Sequence, residues 1–463
     1  MTNRTIKIMI VSITLALFMF LAPWCFGAWD NDLPADNSVW NNAAGEIRNN
    51  NDALEDALGV DLVNASKRYD VTSYGAAAGD STDDTSFFAL AITAAAGNTV
   101  YVPTGTFDVT GITLNQQVRL FMEPGAKLFL IASSNTPVVT ISTEDCEVEG
   151  GQIDGNRSNQ SANTGHGIFI EADNTYVKNV TITSIEGSGI EAQYAGGADN
   201  IKIEDCTITD TSRRGIFITN TPASAPSANI EIVNNHVDRT GDSAVSVGIY
   251  VDGNASGTMF SGVRVIGNYV KDTVAASPGA RQCINGSFVK NSVFSDNTTS
   301  GGYAGLSIED SNNVTVTGNA VFGAFKNGIE FAGTNRSTIS SNTINGNGVT
   351  SRGILVSTSG ADNTHNTLSD NTIWGIIGNC IEITHEPDYI SITGNNIEFS
   401  PTDAGNRSAI FTTGADYFTI SNNTIKGSGT AKSLTGIQLL NPGPGTCNGI
   451  IITNMVTAGI NFN

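Results

Sequence analysis

The chain has 463 residues, of which 44 are acidic and 23 basic, and its formal net charge is −21. Such a charge repels phosphate backbones and anionic lipid surfaces, so nucleic acid and membranes are excluded as expected partners. Aromatic residues make up only 7% of the chain, whereas Gly, Ile, Val, Thr, Asn and Ser dominate its later part. This composition is typical of a protein with many short strands and turns.

Residues 1–28 have the layout of a secretory signal peptide. Arg4 and Lys7 precede an apolar run over residues 8–21, and small residues follow it. A transmembrane anchor is the alternative, but the apolar run is short for a membrane span. We therefore predict that the protein is secreted, to the extracellular space or the periplasm, with no membrane partner after the signal is removed.

Residues 29–66 differ in character from the rest of the chain. The stretch 44–59 predicts one amphipathic helix that ends at Gly59. This segment resembles short N-terminal pieces of phage tail-associated proteins. A cap or linker without further function is the alternative interpretation.

Residues 70–107 contain the most specific local motif. Asp-Val-Thr-Ser-Tyr-Gly-Ala at 70–76 leads through Gly-Asp-Ser-Thr-Asp-Asp-Thr at 79–85 into an apolar segment and then into Val-Tyr-Val-Pro-Thr-Gly-Thr-Phe at 100–107. This succession resembles the opening of the pectate-lyase-like superfamily, in particular the branch of phage tailspikes, rhamnogalacturonase-like hydrolases and alginate epimerases. The resemblance implies a right-handed parallel β-helix. It continues to the C-terminus as a similar repeat of coils rather than as shared residues.

The residues of this motif predict a helix that closes one end of a stack of coils. Side-chain oxygens of Thr82–Thr85 are expected to accept hydrogen bonds from the free amides of a helix start, and residues 87–92, including Leu90, form its apolar face. The open end of a solenoid exposes apolar core and strand edges, so a cap is required there. Asp83 and Asp84 are therefore interpreted as structural rather than catalytic.

A short sequence pattern recurs through the rest of the chain. It consists of a small residue, then an Ile, then residues whose side chains alternate between the core and the outside, as in residues 248–252. The apolar residues that open the repeats are Ile168, Ile190, Ile216, Ile249, Ile284, Leu306, Ile329, Ile354, Ile381, Ile410, Ile437 and Ile460. Their spacing of 22 to 35 residues is the period of stacked solenoid coils. We predict an all-β fold, a single-stranded right-handed parallel β-helix of about 12 coils over residues 67–463 with an N-terminal capping helix.

A second repeat of Asn residues runs out of phase with the first. Its members are Asn179, Asn235, Asn268, Asn297, Asn319, Asn342, Asn371, Asn395, Asn423 and Asn454, with Cys206 in the missing place. An Asn that occurs once per coil at a turn can bond its own backbone and the Asn of the next coil. The sequence therefore predicts an Asn ladder along the stack.

The cysteines and histidines predict neither disulfides nor a metal site. After the signal is removed, the cysteines are Cys146, Cys206, Cys283, Cys380 and Cys447, an odd number at wide spacings. Cys283 and Cys380 occupy the same place in repeats four coils apart, roughly 19 Å at the strand spacing, so they cannot pair. No Cys or His cluster has metal-ligand spacing, and no cofactor is predicted.

Side-chain alternation within each repeat predicts two rows that face outward. The first row is Phe169, Glu191, Phe217, Tyr250, Asn285, Ser307, Glu330, Leu355, Glu382, Phe411 and Gln438. The second row is Glu171, Gln193, Thr219, Asp252, Ser287, Glu309, Ala332, Ser357 and Thr384. A third, partly basic row at or near the start of the repeats contains His166, Arg214, Gln282, Lys326, Arg352 and Arg407. Together these rows suit a glycan chain, because aromatic rings stack on sugars and Arg or Lys binds hydroxyls and carboxylates.

The longest spacings flank Ile249, and their extra residues at 221–227, 253–257 and 275–280 are loop-like. Long loops on a regular scaffold tend to form the walls of binding sites, although loops without a role are the alternative. The site is therefore predicted around the repeat that holds Tyr250 and Asp252.

Asp252 and Glu309 share the second row two coils apart, about 9 to 10 Å at the strand spacing, which is near the upper limit for an inverting glycosidase pair. They are the predicted acid and base, with Glu330 or Glu191 as substitutes and Tyr250 as a further catalytic residue. The predicted substrate-binding residues are Glu191, Arg214, Phe217, Arg281 and Lys326. Solvated surface carboxylates without a function are the alternative.

Motifs of related families are incomplete in this chain. Of the four motifs of polygalacturonase-type hydrolases, only Gly-His-Gly occurs, at 165–167, and it lies too early in the stack, so it is interpreted as a turn. Alginate epimerases of this fold resemble each other in an Asp-Pro-His motif. The phrase Tyr-Val-Asp-Gly at 250–253 occupies a comparable place but lacks the Pro-His.

Three functions remain open at this point. Hydrolysis of a neutral or mixed polysaccharide by the carboxylate pair is favoured by the negative net charge. A polysaccharide lyase or mannuronan C5-epimerase-like enzyme would use Tyr250 with Arg281, Arg214 or His166. A non-catalytic glycan-binding adhesin or tail-like protein is the third function, favoured by the segment 29–66 and the incomplete motifs. The protein is expected to be a monomer or a homotrimer.

Overall fold

Short parallel strands that alternate buried and half-buried side chains make up most of this protein. The computed structural model describes residues 68–161, 165–194, 199–220, 227–240, 247–254, 256–271, 282–358, 363–384, 388–399, 407–413, 417, 419–427, 434–440, 451–456 and 459–462. The chain divides into two units, 1–66 and 67–463, and every described residue belongs to the second. The signal peptide over 1–28 and the segment 29–66 lie outside the described residues and stay predictions.

Fourteen of the described strands form one parallel sheet, here called the front sheet, to which each described coil contributes one strand. Its strands are Ile112–Leu114, Val139–Ile141, Ile168–Ile170, Ile190–Tyr194, Ile216–Asn220, Ile249–Asp252, Gln282–Ser287, Ala304–Glu309, Asn327–Ala332, Arg352–Ser357, Asn379–Ile383, Arg407–Thr413, Leu434–Leu440 and Gly459–Phe462.

The 26 remaining strands in the described part of the chain form the back sheet, to which most coils contribute two strands. These strands are Arg68–Asp70, Thr99–Val102, Gly105–Val109, Arg119–Leu130, Glu147–Asp154, Tyr176–Lys178, Thr181–Ile185, Ile201–Glu204, Thr207–Thr211, Ile230–Val233, His236–Thr240, Phe260–Ser261, Arg264–Ile266, Tyr269–Lys271, Val289–Ser295, Thr298–Ser300, Asn312–Thr317, Ala320–Phe322, Thr338–Ser340, Thr343–Asn345, Thr367–Ser369, Thr372–Trp374, Ser391–Thr393, Asn396–Phe399, Thr419–Gly427 and Ile451–Val456. Three 3₁₀ turns are described, at Val71–Tyr74, Arg157–Asn159 and Ser256–Thr258.

The register of the front sheet confirms the predicted repeat. Ile168 pairs with Ile190, and each later predicted opening residue pairs with the next through to Ile460. The predicted solenoid of about 12 coils is therefore correct. The sheet also contains two earlier strands, in which Ile112 pairs with Val139 and Val139 with Ile168.

The core runs along the inside of the coils as one continuous cluster of Ile, Val, Leu and Phe side chains. Ile249 and Val251 are fully buried, whereas Tyr250 and Asp252 between and after them are half-buried on the outside. Because a coil buries its apolar side chains only against its neighbours, the stack is the stable unit rather than any single coil.

The predicted Asn ladder runs through the stack from Asn235 to Asn423. In a typical step, Asn268 Nδ2 donates to Asn297 Oδ1 at 3.0 Å and to the carbonyl of Ile232 at 2.8 Å. Asn268 Oδ1 in turn accepts from the backbone N–H of Asn235 at 2.9 Å. The amide thus bonds to neighbouring coils on both sides, as expected.

The ladder begins at Cys206, whose N–H donates to Asn235 Oδ1 at 2.9 Å. Thr181 pairs with Thr207, so Val180 lies opposite Cys206 and Asn179 lies one residue outside the ladder. The inclusion of Asn179 was wrong because its own backbone is left-handed, with φ of 55°, and occupies the turn instead. The side chain of Asn454 lies outside the described part of the chain.

The helix predicted to close the stack, α1, spans Thr85–Ala94 and buries Phe88, Ala91 and Ile92 in the same core as the coils. Its start is held by Asp83 Oδ1, which accepts from the N–H of Thr85 at 3.0 Å. Two details differ from expectation. Leu90 is 55% exposed, on the outer side of the helix. The side chain of Asp84 does not bond the helix amides. Its Oδ1 accepts from the N–H of Ala77 at 3.0 Å, which ties the preceding loop to the helix.

The four described cysteines, Cys146, Cys206, Cys283 and Cys380, are buried free thiols in the core. Cys447 lies outside the described residues. None of the described helices is both long enough and apolar enough to cross a membrane.

Candidate functional site

The predicted outward rows are real columns on the front sheet. Phe169, Glu191, Phe217 and Tyr250 occupy the same place in successive strands, and this first row continues in register to Gln438. The second row is likewise in register from Gln193 to Ser357. Since neighbouring strands lie about 4.8 Å apart, every coil places one side chain of each row along a continuous face.

Tyr250 is the centre of an aromatic and cationic stack. Its ring packs on Phe217 with centroids 5.2 Å apart, and the guanidinium of Arg214 lies 3.9 Å from the centroid of Phe217. Arg214 Nε is buried without a hydrogen-bond partner among the described residues. Burial lowers the pKa of Arg214, and the neighbouring charge of Arg213 lowers it further. This guanidinium is therefore positioned by stacking, and its Nε is left to donate elsewhere.

The Tyr250 hydroxyl contacts Asp252, two residues along the same strand, with its oxygen 3.0 Å from Asp252 Oδ2. Burial raises the pKa of Tyr250, and the carboxylate of Asp252 raises it further. The phenol is thus held in its protonated form and donates to the carboxylate. The other carboxylate oxygen of Asp252 accepts from the N–H of Asn254 at 2.8 Å.

Glu309 is a half-buried carboxyl of this face with several hydrogen-bond donors around it. Its Oε1 accepts from Ser307 Oγ at 2.9 Å and from Asn285 Nδ2 at 3.2 Å, and Gln282 Nε2 lies 3.5 Å away. Burial raises the pKa of Glu309 above its ordinary value, the bond from Ser307 opposes that rise, and the charge of Glu330 adds to it. Glu309 therefore keeps its proton to a higher pH than an exposed carboxyl does.

Asp252 and Glu309 lie in one column with Ser287 between them, because Asp252 pairs with Ser287 and Ser287 with Glu309. Two strand spacings separate their backbones by about 9 to 10 Å. Glu330 follows in the next coil but in the first row, where it pairs with Ser307. Its carboxylate accepts from Asn327 Nδ2 at 2.8 Å.

Glu191 lies in a second polar cluster, two strands before that of Tyr250. It is 6% exposed, and its Oε2 accepts from Ser188 Oγ at 2.7 Å. His166 Nδ1 lies 3.4 Å from the same carboxylate oxygen and accepts from the N–H of Ser188 at 3.2 Å. Burial lowers the pKa of His166, and although Glu191 opposes this, Arg213 and Arg214 add to it. Burial of His166 therefore favours its neutral form.

Of the remaining predicted site features, Lys326 lies within the described residues, whereas Arg281 and most residues of two loops do not. Lys326 lies farther along the stack than Glu309, where its Nζ donates to the hydroxyl of Tyr303 and sits 4.9 Å from that ring's centroid. Arg281 and most of the loop residues at 221–227 and 275–280 lie outside the described residues. Their place around Tyr250 stays a prediction.

Several residues of the site were not predicted from the sequence. Ser188, Gln282, Asn285 and Ser307 surround the carboxyls of Glu191 and Glu309 with hydrogen-bond donors. Gln282, Asn285 and Ser307 had been placed in rows, but no role followed from that placement. Their signal in the sequence is weak, because small polar residues are common at exposed positions of any solenoid.

Two family models match parts of the chain. One describes a right-handed β-helix region and matches residues 130–276. The other describes a periplasmic copper-binding protein, NosD, and matches residues 265–441. A comparison with curated protein sequences finds no match.

The donor groups that the structure describes within the second match do not fit a copper site. Copper is held by His, Cys and Met side chains, yet Cys283 and Cys380 are wholly buried in the core and His365 is stacked on Tyr389 with ring centroids 4.6 Å apart. Across the described residues, no group of three His, Cys, Asp or Glu side chains could hold a metal ion.

Solved structures share the fold at low sequence identity. The pre-mature gene product 12 of bacteriophage phi29 is 17% identical, with a TM-score of 0.55 over 85% of this chain and 56% of that chain. The A-module of the Azotobacter vinelandii mannuronan C-5 epimerase AlgE4 is 17% identical, with a TM-score of 0.44 over 86% of this chain and 96% of that one. PfbA, a surface adhesin of Streptococcus pneumoniae, is 18% identical, with a TM-score of 0.47 over 80% and 92%. Likeness at this level bears on fold alone. The phi29 protein, the coil register and the match over residues 130–276 agree that this chain has the fold of a right-handed parallel β-helix.

Proposed function

We propose that this protein is an exported enzyme that hydrolyses glycosidic bonds in a polysaccharide, with Glu309 as general acid and Asp252 as general base. The observation that carries the proposal is the raised pKa of Glu309, in the same column as a carboxylate two coils away. A pair of carboxyl groups whose surroundings differ in this way is the arrangement that assigns one to donate a proton and the other to accept one.

In this reaction the protonated Glu309 gives its proton to the leaving glycosidic oxygen. Asp252 takes a proton from the water that attacks the anomeric carbon from the opposite face of the sugar. The bond from Ser307 and the bond from Asn285 orient Glu309 toward the groove. The backbones of Asp252 and Glu309 lie about 9 to 10 Å apart, which is compatible with the roughly 6.5 to 9.5 Å between the carboxyl groups of inverting enzymes and leaves room for that water. The proposed outcome is therefore inversion at the anomeric carbon.

The remaining predicted residues have roles in holding the glycan. Tyr250 orients Asp252 through its hydroxyl, and its half-buried ring, which stacks on the buried ring of Phe217, offers apolar contact to a sugar ring. Arg214 offers its unpaired Nε to a hydroxyl or carboxylate. Glu330 supports the proton affinity of Glu309 and stays the substitute acid. Arg281 and Glu191 are proposed to line the same groove.

A lyase or C5-epimerase-like activity on uronates is the second candidate function. The observation that favours it is His166, a neutral imidazole in the cluster with Glu191 and close in the stack to Arg214 and Tyr250. A neutral imidazole is a proton acceptor, and a guanidinium beside it can neutralise a uronate carboxylate. The chemistry would then lie around Tyr250 and His166, away from Glu309.

Export is proposed from the layout of residues 1–28. The matching family is described as periplasmic, which agrees with an extracellular or periplasmic location. The proposed domain order is signal peptide, residues 29–66 as a linker or cap, and the β-helix from residue 67.

The test is the product formed from a panel of neutral and acidic polysaccharides by the full chain. Release of reducing ends without ultraviolet absorbance from an unsaturated sugar supports hydrolysis. Reducing ends together with that absorbance establish a lyase and contradict the proposal. Neither signal, with binding retained, points to an adhesin or tail-like binder or to an epimerase, which proton NMR of treated alginate distinguishes.

A further inference from the structure

Ten successive coils share a left-handed residue at the corner where the chain passes from the front sheet to the back sheet. These residues, here called the corner column, are Asn174, Asn200, Asn229, Gly262, Asn291, Asn313, Arg336, His365, Tyr389 and Tyr417. Their φ angles lie between 49° and 70°. The back-sheet strands around this corner are in register, so the ten residues lie one above another along the stack.

The first six residues of the corner column adopt this backbone easily. Five of them are Asn and one is Gly. Gly has no Cβ, and the short side chain of Asn can bond locally, so both tolerate a positive φ. Asn200 Nδ2 donates to Asn174 Oδ1 at 2.8 Å, and Asn229 Nδ2 donates to Asn200 Oδ1 at 3.0 Å. A stable corner therefore requires no aromatic residue.

The last three residues of the corner column form an exposed aromatic stack. His365 packs on Tyr389 with ring centroids 4.6 Å apart and planes inclined by 15°. Tyr389 packs on Tyr417 with centroids 5.0 Å apart and planes inclined by 6°. Tyr389 is 50% exposed and Tyr417 is 46% exposed, although burial of a large apolar side chain is favourable. The stack thus presents aromatic surface to solvent rather than to the core.

A left-handed backbone is costly for these three residues. It brings the Cβ atom close to the following carbonyl oxygen, and for a bulky residue it is an outlier. The φ angle is 59° at His365, 55° at Tyr389 and 52° at Tyr417. Strained residues of this kind cluster at functional sites. Since the earlier coils hold unstrained Asn at the same place, neither backbone preference nor core burial explains the aromatic residues, and their exposure points to a ligand.

The stack has the chemistry of a site for an uncharged, hydroxylated ligand. A Tyr side chain offers apolar contact through its ring and a hydroxyl that both donates and accepts. Arg336 continues the column at one end and Asp388 precedes Tyr389, so these two neighbouring charges oppose each other. An anionic ligand would be repelled by a chain of net charge −21, whereas a neutral glycan would not. Tyr389 also follows the front strand Asn379–Ile383, so the stack continues the front face around its edge.

We propose that the stack of His365, Tyr389 and Tyr417 is a second binding site, which holds a neutral glycan chain outside the column of Asp252 and Glu309. The coil of His365 is the second after that of Glu309, and the coil of Tyr417 is the fourth. The site therefore holds the chain away from the cleaved bond. It goes beyond the proposed hydrolysis, because binding at the stack requires no cleavage.

The test is affinity electrophoresis of the full chain through native gels that contain a mixed-linkage β-glucan, a galactomannan or a soluble starch. The wild type is expected to be retarded by at least one of these neutral polysaccharides. In Tyr389→Asn/Tyr417→Asn, the apparent affinity for that polysaccharide falls about 10-fold or more, because both rings are lost, which corresponds to about 1.4 kcal/mol or more. Asn is the residue that earlier coils hold at this corner, so the variant keeps its fold, and circular dichroism and the Tm check this.

The matched control removes an aromatic stack of the back sheet. His236 packs on Tyr269 with ring centroids 4.9 Å apart, and both residues lie in strands. Thr207 precedes this pair and Thr298 follows it in the same register. His236→Thr/Tyr269→Thr therefore continues a column of Thr, and its retardation should equal that of the wild type.

The proposal is overturned if none of the three gels retards the wild type, or if Tyr389→Asn/Tyr417→Asn is retarded as strongly as the wild type. Equal losses in both double variants also overturn it, since any stacked pair of rings would then suffice. A wild type that is dimeric in sedimentation velocity, with a monomeric corner variant, would assign the stack to a second copy of the chain instead. A chain that is retarded through Tyr389 and Tyr417 but cleaves nothing keeps this site and loses the proposed hydrolysis.

Discussion

The Asn ladder and the front face show two opposite uses of a repeated coil. Along the ladder the same residue occurs in coil after coil, and each buried amide bonds to its neighbours, as Asn319 does to Asn297 and Asn342. On the front face the residue changes at each coil, from Phe217 to Tyr250 to Asn285. Repetition of one polar residue serves the stability of the stack, whereas variation leaves a particular pattern for a ligand to recognise.

The Asn ladder and the front face also differ in how fully their buried polar groups are hydrogen-bonded. Asn319 Nδ2 donates to the carbonyl of Phe294 as well as to Asn342, so its bonding capacity is used within the protein. On the front face, Arg214 Nε and Gln282 Oε1 are buried without hydrogen-bond partners among the described residues. A buried polar group left unpaired costs free energy, which a ligand can recover on binding.

The largest expected effect comes from breaking the ladder in its middle. Asn319→Ala removes the acceptor of the Asn297 N–H and Nδ2 and leaves the Phe294 carbonyl without its donor. We expect a loss of about 3 kcal/mol in the free energy of unfolding, since each buried group left unpaired costs about 1 to 3 kcal/mol. Chemical denaturation measures it.

The matched control for the ladder is Thr315→Ala, at a half-buried outward position on the neighbouring strand Asn312–Thr317. It is expected to change the unfolding free energy by less than about 0.5 kcal/mol. Similar losses for the two variants would mean that the ladder contributes no more than any other polar position.

The next effect concerns the phenol of the front face. Tyr250→Phe keeps the stack on Phe217 and removes the bond to Asp252. If the phenol only orients Asp252, the rate of glycan cleavage falls about 10-fold, which corresponds to about 1.4 kcal/mol. A loss of about a thousandfold or more in initial rate would instead make the phenol a participant in the chemistry and would favour the lyase candidate.

A smaller effect appears in the pH dependence of stability. Because burial raises the pKa of Glu309 above the ordinary value of 4.5, the folded protein holds a proton there that the unfolded chain has already released. The stability that the protonated Glu309 carboxyl contributes is fully present at pH values below its ordinary pKa. It is lost as the pH rises through the raised pKa of the folded protein. Glu309→Gln is neutral at every pH, so the wild type should lose stability relative to the variant across that window in denaturation at several pH values.

His166 should give the opposite and smallest pH effect. Burial lowers its pKa below the ordinary 6.5, although Glu191 opposes the shift while Arg213 and Arg214 add to it. The unfolded chain binds a proton before the folded protein does, so stability is present above the ordinary value and is lost as the pH falls through the lowered pKa. His166→Gln should remove this acid-side loss, and an unchanged acid limb would show that the pKa of His166 is the same in the folded and the unfolded protein.

The sequence predicted the fold well because the fold is a repeat. The opening residues from Ile168 to Ile460 were all placed in register, since one Ile per coil must enter the same core. The coils at Ile112 and Val139 were missed because their strands are short and lie between the capping helix and the regular repeat. Asn179 was assigned one residue out of place because both a ladder and a left-handed turn favour Asn.

Less of the site could be predicted, for a physical reason. The alternation of side chains along a strand predicts which residues face outward, and it correctly placed Tyr250, Asp252 and Glu309 on the front face. The alternation does not predict the rotamer of an outward side chain, so it could not predict the hydrogen bonds that Ser307 and Asn285 donate to Glu309. The burial of His166 depends on contacts between coils that no local pattern encodes.

The most direct test of the central claim is the rate of reducing-end release by Asp252→Asn and Glu309→Gln, compared with Asn319→Ala at a temperature where all three are folded. The carboxylate pair predicts that each of the first two variants loses about 100-fold or more in rate, while the ladder variant keeps the wild-type rate. Full activity in both Asp252→Asn and Glu309→Gln would contradict the assignment of these residues as acid and base.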